Sequence, residues 1–166
     1  MARTPLVPVH IERRVGDLPV LRPDGERMRL GDVWATQPVV IALLRHFGCI
    51  FCKDQAAALR AIVPEVHALG AELVMLGSGA PQMAGFFAED YAIETPVLTD
   101  PTRAVYDALE TRRPSRLALA DPRMILPGLR AVLHGRRQDR ATADRGDERQ
   151  LGGVYIVQPG GVLAWA

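Results

Sequence analysis

Four apolar stretches punctuate this chain at intervals that suit alternating strands and helices. VVIALLRHF begins after Pro38 and is apolar without a break until Arg45, as expected of a strand buried on both faces. AELVMLGSG and TPVLTD repeat the pattern further on, and QLGGVYIVQPGGVLAWA reads as two strands joined at Pro159-Gly160-Gly161. Between them the period changes. From Cys49 or Ile50 to about Leu69 a helix is predicted, with Leu59, Ile62, Val63 and Val66 at helical spacing and Gly70 closing it. Pro64 lies inside that pattern and should kink the helix or end it early. PQMAGFFAEDY predicts a short helix with Pro81 at its first position, and PTRAVYDALE predicts another. Upstream, Leu18 to Leu21 and Arg27 to Leu30 flank Pro23-Asp24-Gly25 and read as a β-hairpin.

The predicted order is hairpin, strand, helix, strand, helix, strand, helix, irregular excursion, hairpin. Strands alternating with helices imply an α/β fold, a central sheet flanked by helices with parallel βαβ units at its heart. The N-terminal hairpin is an extension of it. Residues 1–166 are expected to form one domain, with an irregular arginine-rich excursion at about 111–150. No internal repeat or low-complexity tract interrupts this.

Charge changes the picture little. The formal net charge is +1, which gives no global case for nucleic acid or membrane surfaces as partners. The excursion's arginines are interleaved with Asp121, Asp139, Asp144, Asp147 and Glu148, so it reads as a solvated, charge-mixed segment. No aromatic residue sits between the arginines for bases to stack on. No run is long enough to span a bilayer, and MARTPLVPVHIERR lacks the apolar core of a secretory leader. With only 2 cysteines, the expectation is a cytoplasmic protein in a reducing compartment.

Those cysteines are the main chemical signal. RHFGCIFCKDQ holds both, Cys49 and Cys52, between a predicted strand and a predicted helix. In open α/β sheets chemistry gathers beyond the carboxyl ends of the strands, where this motif falls. A thiol at a helix amino end lies near unpaired backbone N–H groups and the positive end of the dipole, which stabilise a thiolate. The second thiol, one turn on, is within reach to close a disulfide. Arg45 and Lys53 flank the pair with positive charge. His46 is a candidate base, though strand alternation would point it away from Arg45.

The competing readings are structural zinc, haem attachment and two inert buried thiols. Zinc needs two further ligands, and His10, His46, His67 and His134 form no H-x3–5-H pair. No His follows the motif, which removes c-type haem. Inert thiols are common in cores, but between a strand and a helix C-x-x-C reads first as a redox dithiol. Elsewhere, Trp34 and Trp165 read as packing residues, Ser78 as a turn former, Asp100 as a helix cap, and Thr95-Pro96 as the start of a strand. GSGAP and QPGGV are too short and wrongly framed for phosphate loops, so no flavin, nicotinamide or metal is expected.

Taken together, the strand followed by GCIFCKDQAAAL resembles the thioredoxin-like superfamily, more closely its peroxiredoxin-like AhpC/TSA-type branch. LPVLRPDGERMRLGDVWATQPVVIALLRHFGC, VMLGSGAPQMAGFFAEDYAIETPVLTDPTRAVYDAL and LGGVYIVQPGGVLAW are similar to the opening, second βαβ stretch and closing hairpin of peroxiredoxins. The peroxidatic frame P-x-x-x-T-x-x-C here reads R-H-F-G-C-I-F-C. Arg45 replaces the proline, Cys49 the threonine, and Cys52 falls on the cysteine. R-x-x-x-C-x-x-C-K resembles the peroxiredoxin-like 2 subfamily, which includes antioxidant enzymes and a prostaglandin-endoperoxide reductase.

The resemblance implies a thioredoxin-like fold with a mixed sheet and a thiol-disulfide oxidoreductase or peroxide-reducing antioxidant activity. Its partners would be an external thiol reductant, thioredoxin-type or of low molecular weight, and a peroxide or disulfide substrate. Thioredoxin logic makes Cys49 the attacking thiolate, whereas the peroxiredoxin frame makes Cys52 the peroxide-reactive thiol. Where thioredoxins place a proline opposite the dithiol, this chain has Gly152-Gly153, and Gly153 is a candidate for close approach of a substrate backbone. The sequence ends at Ala166, directly after its last predicted strand, where thioredoxin folds add a helix. A homodimer that covers the sheet face is one expectation. A non-catalytic binding module of the same fold, and a specialised reductase of an organic endoperoxide or sulfur-containing intermediate, are the alternatives.

Overall fold

A computed structural model describes residues 9–48, 50–113, 146–147 and 149–166, with the backbone alone at 9 and 50–54. Among these residues one sheet of eight strands organises the fold. The strands are β1 (Val9–His10), β2 (Pro19–Leu21), β3 (Arg27–Arg29), β4 (Val39–Leu43), β5 (Glu72–Gly77), β6 (Val97–Thr99), β7 (Gly153–Gln158) and β8 (Val162–Trp165). Their spatial order is β1-β8-β7-β4-β5-β6-β2-β3. β4, β5 and β6 run parallel, while β7 pairs antiparallel with β4, and β2 antiparallel with β6. The sheet is therefore mixed, with the two predicted βαβ units at its centre.

Strand alternation separates two cores. Val39, Ile41 and Leu43 of β4 join Val74 and Leu76 of β5, Leu98, Val157 and Trp34 on one face. Ala42 joins Leu73, Met75, Val97, Phe47, Ala56, Val66 and Phe87 on the other. Burial on both faces explains why β4 and β5 are unbroken apolar runs in the sequence. Each fully buried Val or Leu contributes roughly 1.5–3 kcal/mol relative to exposure.

The helices are α1 (Ile50–Ala68), α2 (Pro81–Asp90) and α3 (Ala104–Ala108). Pro64 does not end α1 early; it is exposed, so the backbone bond it forfeits lies on the water-facing side. Ile62, expected on the packed stripe, is 41% exposed, while Val66 is buried. α1 closes at Gly70, whose φ of +71° allows the Gly70 amide to reach His67 O and the Ala71 amide to reach Val66 O. α3 is shorter than PTRAVYDALE suggests, and Asp100 accepts from the Val105 amide in its first turn at 2.7 Å.

The N-terminal hairpin forms as expected, with Val20 opposite Met28. Three small elements were not predicted: β1, a π-helical turn at Glu12–Gly16 and a 3-10 turn at Leu30–Trp34. Trp34 is buried and donates through Nε1 to Glu12 Oε2 at 2.5 Å, which ties the two turns together. Trp165 is not packed as expected; it lies at the end of β8, 57% exposed. Most of the arginine-rich excursion, including Asp121, Asp139, Asp144, Glu148 and His134, lies outside the described residues.

Candidate functional site

The carboxyl ends of β4, β5 and β6 meet on one side of the sheet, and the dithiol stretch leaves from the first of them. β4 ends at Leu43, so residues 44–48 are loop, and strand alternation does not govern Arg45 and His46 as expected. Cys52 is the third residue of α1, in the first turn, where helix N–H groups lack intrahelical acceptors. Cys49 lies outside the described residues, and Lys53 is described by its backbone within α1.

Buried hydrogen bonds position the loop before the motif. The Tyr106 hydroxyl of α3, fully buried, reaches both Leu44 O and Leu76 O at 2.8 Å. Leu44 N also donates to Leu76 O at 2.8 Å, so the ends of β4 and β5 are fastened together where the loop departs. Arg45 turns its side chain towards the β7 approach, Nε donating to Gln150 O at 3.3 Å. His46 is buried, and Phe47 packs against Phe87 of α2 with ring centroids 5.4 Å apart.

Ser78 is more than a turn former. It is buried, donates through Oγ to Arg45 O at 3.0 Å, and accepts from the Asp147 amide at 3.3 Å. The dithiol loop, the end of β5 and the return of the excursion are thus joined through one hydroxyl.

The excursion's neck is also held. Leu151 N donates to Arg112 O at 3.1 Å, and Gln150 Nε2 donates to Thr111 Oγ1 at 2.6 Å. Asp147 is not solvated, contrary to the charge-mixed reading. Its carboxylate, 16% exposed, contacts Arg113 closely and Arg103 at 3.2 Å, and Arg149 lies at 3.9 Å. Burial alone would raise its pKa. The Arg149 amide, the Arg113 hydrogen bond and the charges of Arg113 and Arg103 outweigh burial and hold it below the ordinary carboxylate value. Burial raises the pKa of Tyr155 on β7.

Gly152 and Gly153 lie beside the end of β4. Gly153 pairs with Leu43, and a Cβ on Gly152 would fall well under 3.0 Å from the Leu43 carbonyl oxygen. Gly152 therefore serves the approach of its own backbone to β4. Beyond β5 and β6, a cavity of about 320 Å³ opens between Ser78, Ala80, Pro101, Arg103 and Asp147. Of these residues, sequence reasoning gave no site role to Ser78, Arg103 or Asp147, nor to Tyr106. Each depends on a contact between segments distant in sequence, and none carries a local motif. Among the described residues, no group of three or more His, Cys, Asp or Glu side chains is placed to hold a metal ion.

A parallel βαβ centre and an antiparallel closing hairpin, with Cys52 in the first turn of the first long helix, define a thioredoxin-fold protein of the peroxiredoxin type. The fold matches PrxQ of Xylella fastidiosa with a TM-score of 0.69 at 8% identity, over 99% of this chain and 86% of that one. Peroxidoxin BcpB of Mycobacterium tuberculosis matches at 0.64 and 15% identity, over 90% and 79%. The AhpC/TSA antioxidant enzyme family model matches residues 58–166, and the chain belongs to that family.

The thioredoxin-like protein AAED1, chloroplastic, of Arabidopsis thaliana is 32% identical over 142 residues, covering 82% of this chain. This chain spans only 56% of that relative's length. Prostamide/prostaglandin F synthase of Salmo salar is 30% identical over 140 residues, covering 82% of this chain and 68% of the relative. Membership supports a thiol-dependent redox function in general terms. The family match begins at residue 58, after both cysteines, so it is carried by the rest of the fold.

Proposed function

We propose that this chain is a thiol-dependent oxidoreductase in which Cys49 and Cys52 cycle between dithiol and disulfide. The observation that carries the reading is the position of Cys52 in the first turn of α1, directly beyond the carboxyl end of the central strand β4. There the unpaired helix amides and the helix dipole favour a thiolate in the pair, and Cys49, three residues earlier in the sequence, is taken as the attacking thiol with Cys52 as its resolver. Arg45, Lys53 and Gly153 are the supporting residues in this proposal: two cations near the pair and a small residue opposite it in the fold.

In the reaction, the Cys49 thiolate attacks a peroxide O–O bond, giving a sulfenic acid, and the leaving oxygen takes up a proton to depart as the alcohol, or as water when the oxidant is hydrogen peroxide. The Cys52 thiol then condenses with it, forming the disulfide and releasing water. With a disulfide substrate the first product is instead a mixed disulfide, which Cys52 resolves. An external thiol, thioredoxin-type or of low molecular weight, returns two electrons to regenerate the dithiol. A narrower form, in which the dithiol serves an organic endoperoxide, is supported by similarity to the Salmo salar prostamide/prostaglandin F synthase.

The proposal takes residues 1–166 as one domain working in a reducing compartment such as the cytoplasm. Among the described residues no helix is long and apolar enough to cross a membrane. A homodimer covering the partly exposed β7–β8 face is part of the same reading.

The test is intact mass after mild hydrogen peroxide treatment and alkylation of remaining thiols. A mass lower by two hydrogens with no added alkyl group is the expected result, and faster alkylation of Cys49 in Cys52→Ser than of Cys52 in Cys49→Ser should accompany it. Two alkyl groups added under conditions that oxidise thioredoxin would remove the dithiol from the mechanism and leave a binding module. The opposite order of alkylation rates would exchange the roles of the two cysteines.

A further inference from the structure

The cavity beyond β5 and β6 has an unusual wall. Arg103 places its guanidinium there, and its one polar contact among the described residues is Asp147 Oδ2 at 3.2 Å. That contact lies outside hydrogen-bond geometry: Arg103 Nη1 is buried without a hydrogen-bond partner, while the Asp147 carboxylate is held by Arg113. A guanidinium carries five N–H donors in a planar fork suited to a carboxylate. Among the described residues, Arg103 makes no side-chain hydrogen bond with that fork.

Charge points the same way. Three arginines, Arg103, Arg113 and Arg149, face the single carboxylate of Asp147. Because Asp147 is held below the ordinary carboxylate value, it stays ionised at neutral pH, and the described cluster retains excess positive charge. At about 320 Å³ the cavity is within the size range of small-molecule sites.

The geometry also discriminates between anions. A phosphate at the amino end of α2 would call on several free backbone amides. Here Pro81 at the first helical position has no N–H, and the Met83 and Ala84 amides are spent on Ala80 O at 3.0 and 3.3 Å. Ala80 and Pro101 add a small apolar strip to a lining otherwise made by Ser78, Arg103, Asp147 and glycine backbone. One guanidinium beside such a strip, without a set of free amides, suits an organic monocarboxylate better than a phosphate.

We propose that this cavity is a binding site for the carboxylate end of a small organic acid, with Arg103 as its anchor. The site is linked to the dithiol loop through Ser78, whose Oγ donates to Arg45 O at 3.0 Å, four residues before Cys49. Resting on the redox reading above, it selects carboxylate-bearing organic peroxides or disulfides over neutral ones.

Binding is tested apart from turnover. The full chain, wild type and the Cys49→Ser/Cys52→Ser double variant, is titrated with hexanoate, with hexanamide as the neutral isostere, and with inorganic phosphate. The readout is the backbone amide shifts of Ser78, Gly79 and Gly146. Hexanoate should shift them saturably in both proteins, and hexanamide and phosphate should not. Arg103→Gln should weaken hexanoate binding by at least about tenfold, the loss expected for one charge-assisted contact, while Arg103→Lys should retain part of it.

No saturable shift with hexanoate, or equal shifts with hexanamide, overturns the proposal without recourse to any variant. Equal or stronger saturation by phosphate overturns the choice of carboxylate. Because the double variant lacks both thiols, binding there together with a negative dithiol test would retain the site and reject the redox reading. Where turnover is found, Arg103→Gln should raise KM for a carboxylate-bearing hydroperoxide and leave cumene hydroperoxide unchanged.

Discussion

Tyr106→Phe removes one oxygen atom and no carbon, so it isolates the polar fastening behind the dithiol loop from the packing of the ring. The hydroxyl is fully buried and lies 2.8 Å from both Leu44 O and Leu76 O. These two carbonyls do not suffer equally. Leu76 O keeps the Leu44 amide at 2.8 Å, whereas Leu44 O loses the Tyr106 donor. A net hydrogen bond contributes about 0.5–1.5 kcal/mol, and a buried carbonyl left short of a donor costs about 1–3 kcal/mol. The loss should therefore be about 2 kcal/mol, which for a chain of this size corresponds to a fall of roughly 4–8 °C in Tm. Urea unfolding of the two proteins measures it, with the midpoint shifted and the m-value unchanged. A loss below about 0.5 kcal/mol would mean that the hydroxyl is not holding the strand ends, and the account of how the loop is positioned would fail.

Two further outcomes follow from the same end of the sheet. Gly152→Ala should destabilise the fold by about 2 kcal/mol or more, because the new Cβ falls well under 3.0 Å from Leu43 O and backbone must move; a chemical-denaturation midpoint equal to wild type would refute the close approach. Asp147 has a folded-state pKa below its ordinary value, so its stabilising contribution is present above that value and is lost as pH falls through the folded-state pKa. Asp147→Asn should accordingly be less stable than wild type at about pH 7, with the gap closing towards about pH 3; a gap that stays constant across that range would show that ionisation of Asp147 does not matter.

Much of the fold was legible before any coordinates because it is written in local terms. Runs buried on both faces mark β4 and β5, the Asp24-Gly25 turn marks the first hairpin, and Gly70 and Pro81 mark a helix end and a helix start. The placing of Cys52 at a helix start was legible for the same reason: spacing and flanking elements are properties of a short segment. Local signals misled where packing decides. Ile62 follows helical spacing but is 41% exposed, and Trp165 is apolar but 57% exposed, because periodicity says that a face exists and not what covers it.

The sequence by itself determined the alternation of strands and helices, the α/β class and the placing of Cys52 at the start of a helix beyond a buried strand. Only the tertiary structure decided which chain ends meet there. Tyr106 reaches Leu44 across 62 positions, Ser78 reaches Asp147 across 69, and Arg45 reaches Gln150 across 105. Such contacts leave no periodic trace, since a hydroxyl or guanidinium gains its role from whichever backbone the completed sheet brings within about 3 Å. The cavity at Arg103 belongs to the same category: its charge comes from three arginines gathered around one aspartate, and that gathering exists only once the neck of the excursion is closed.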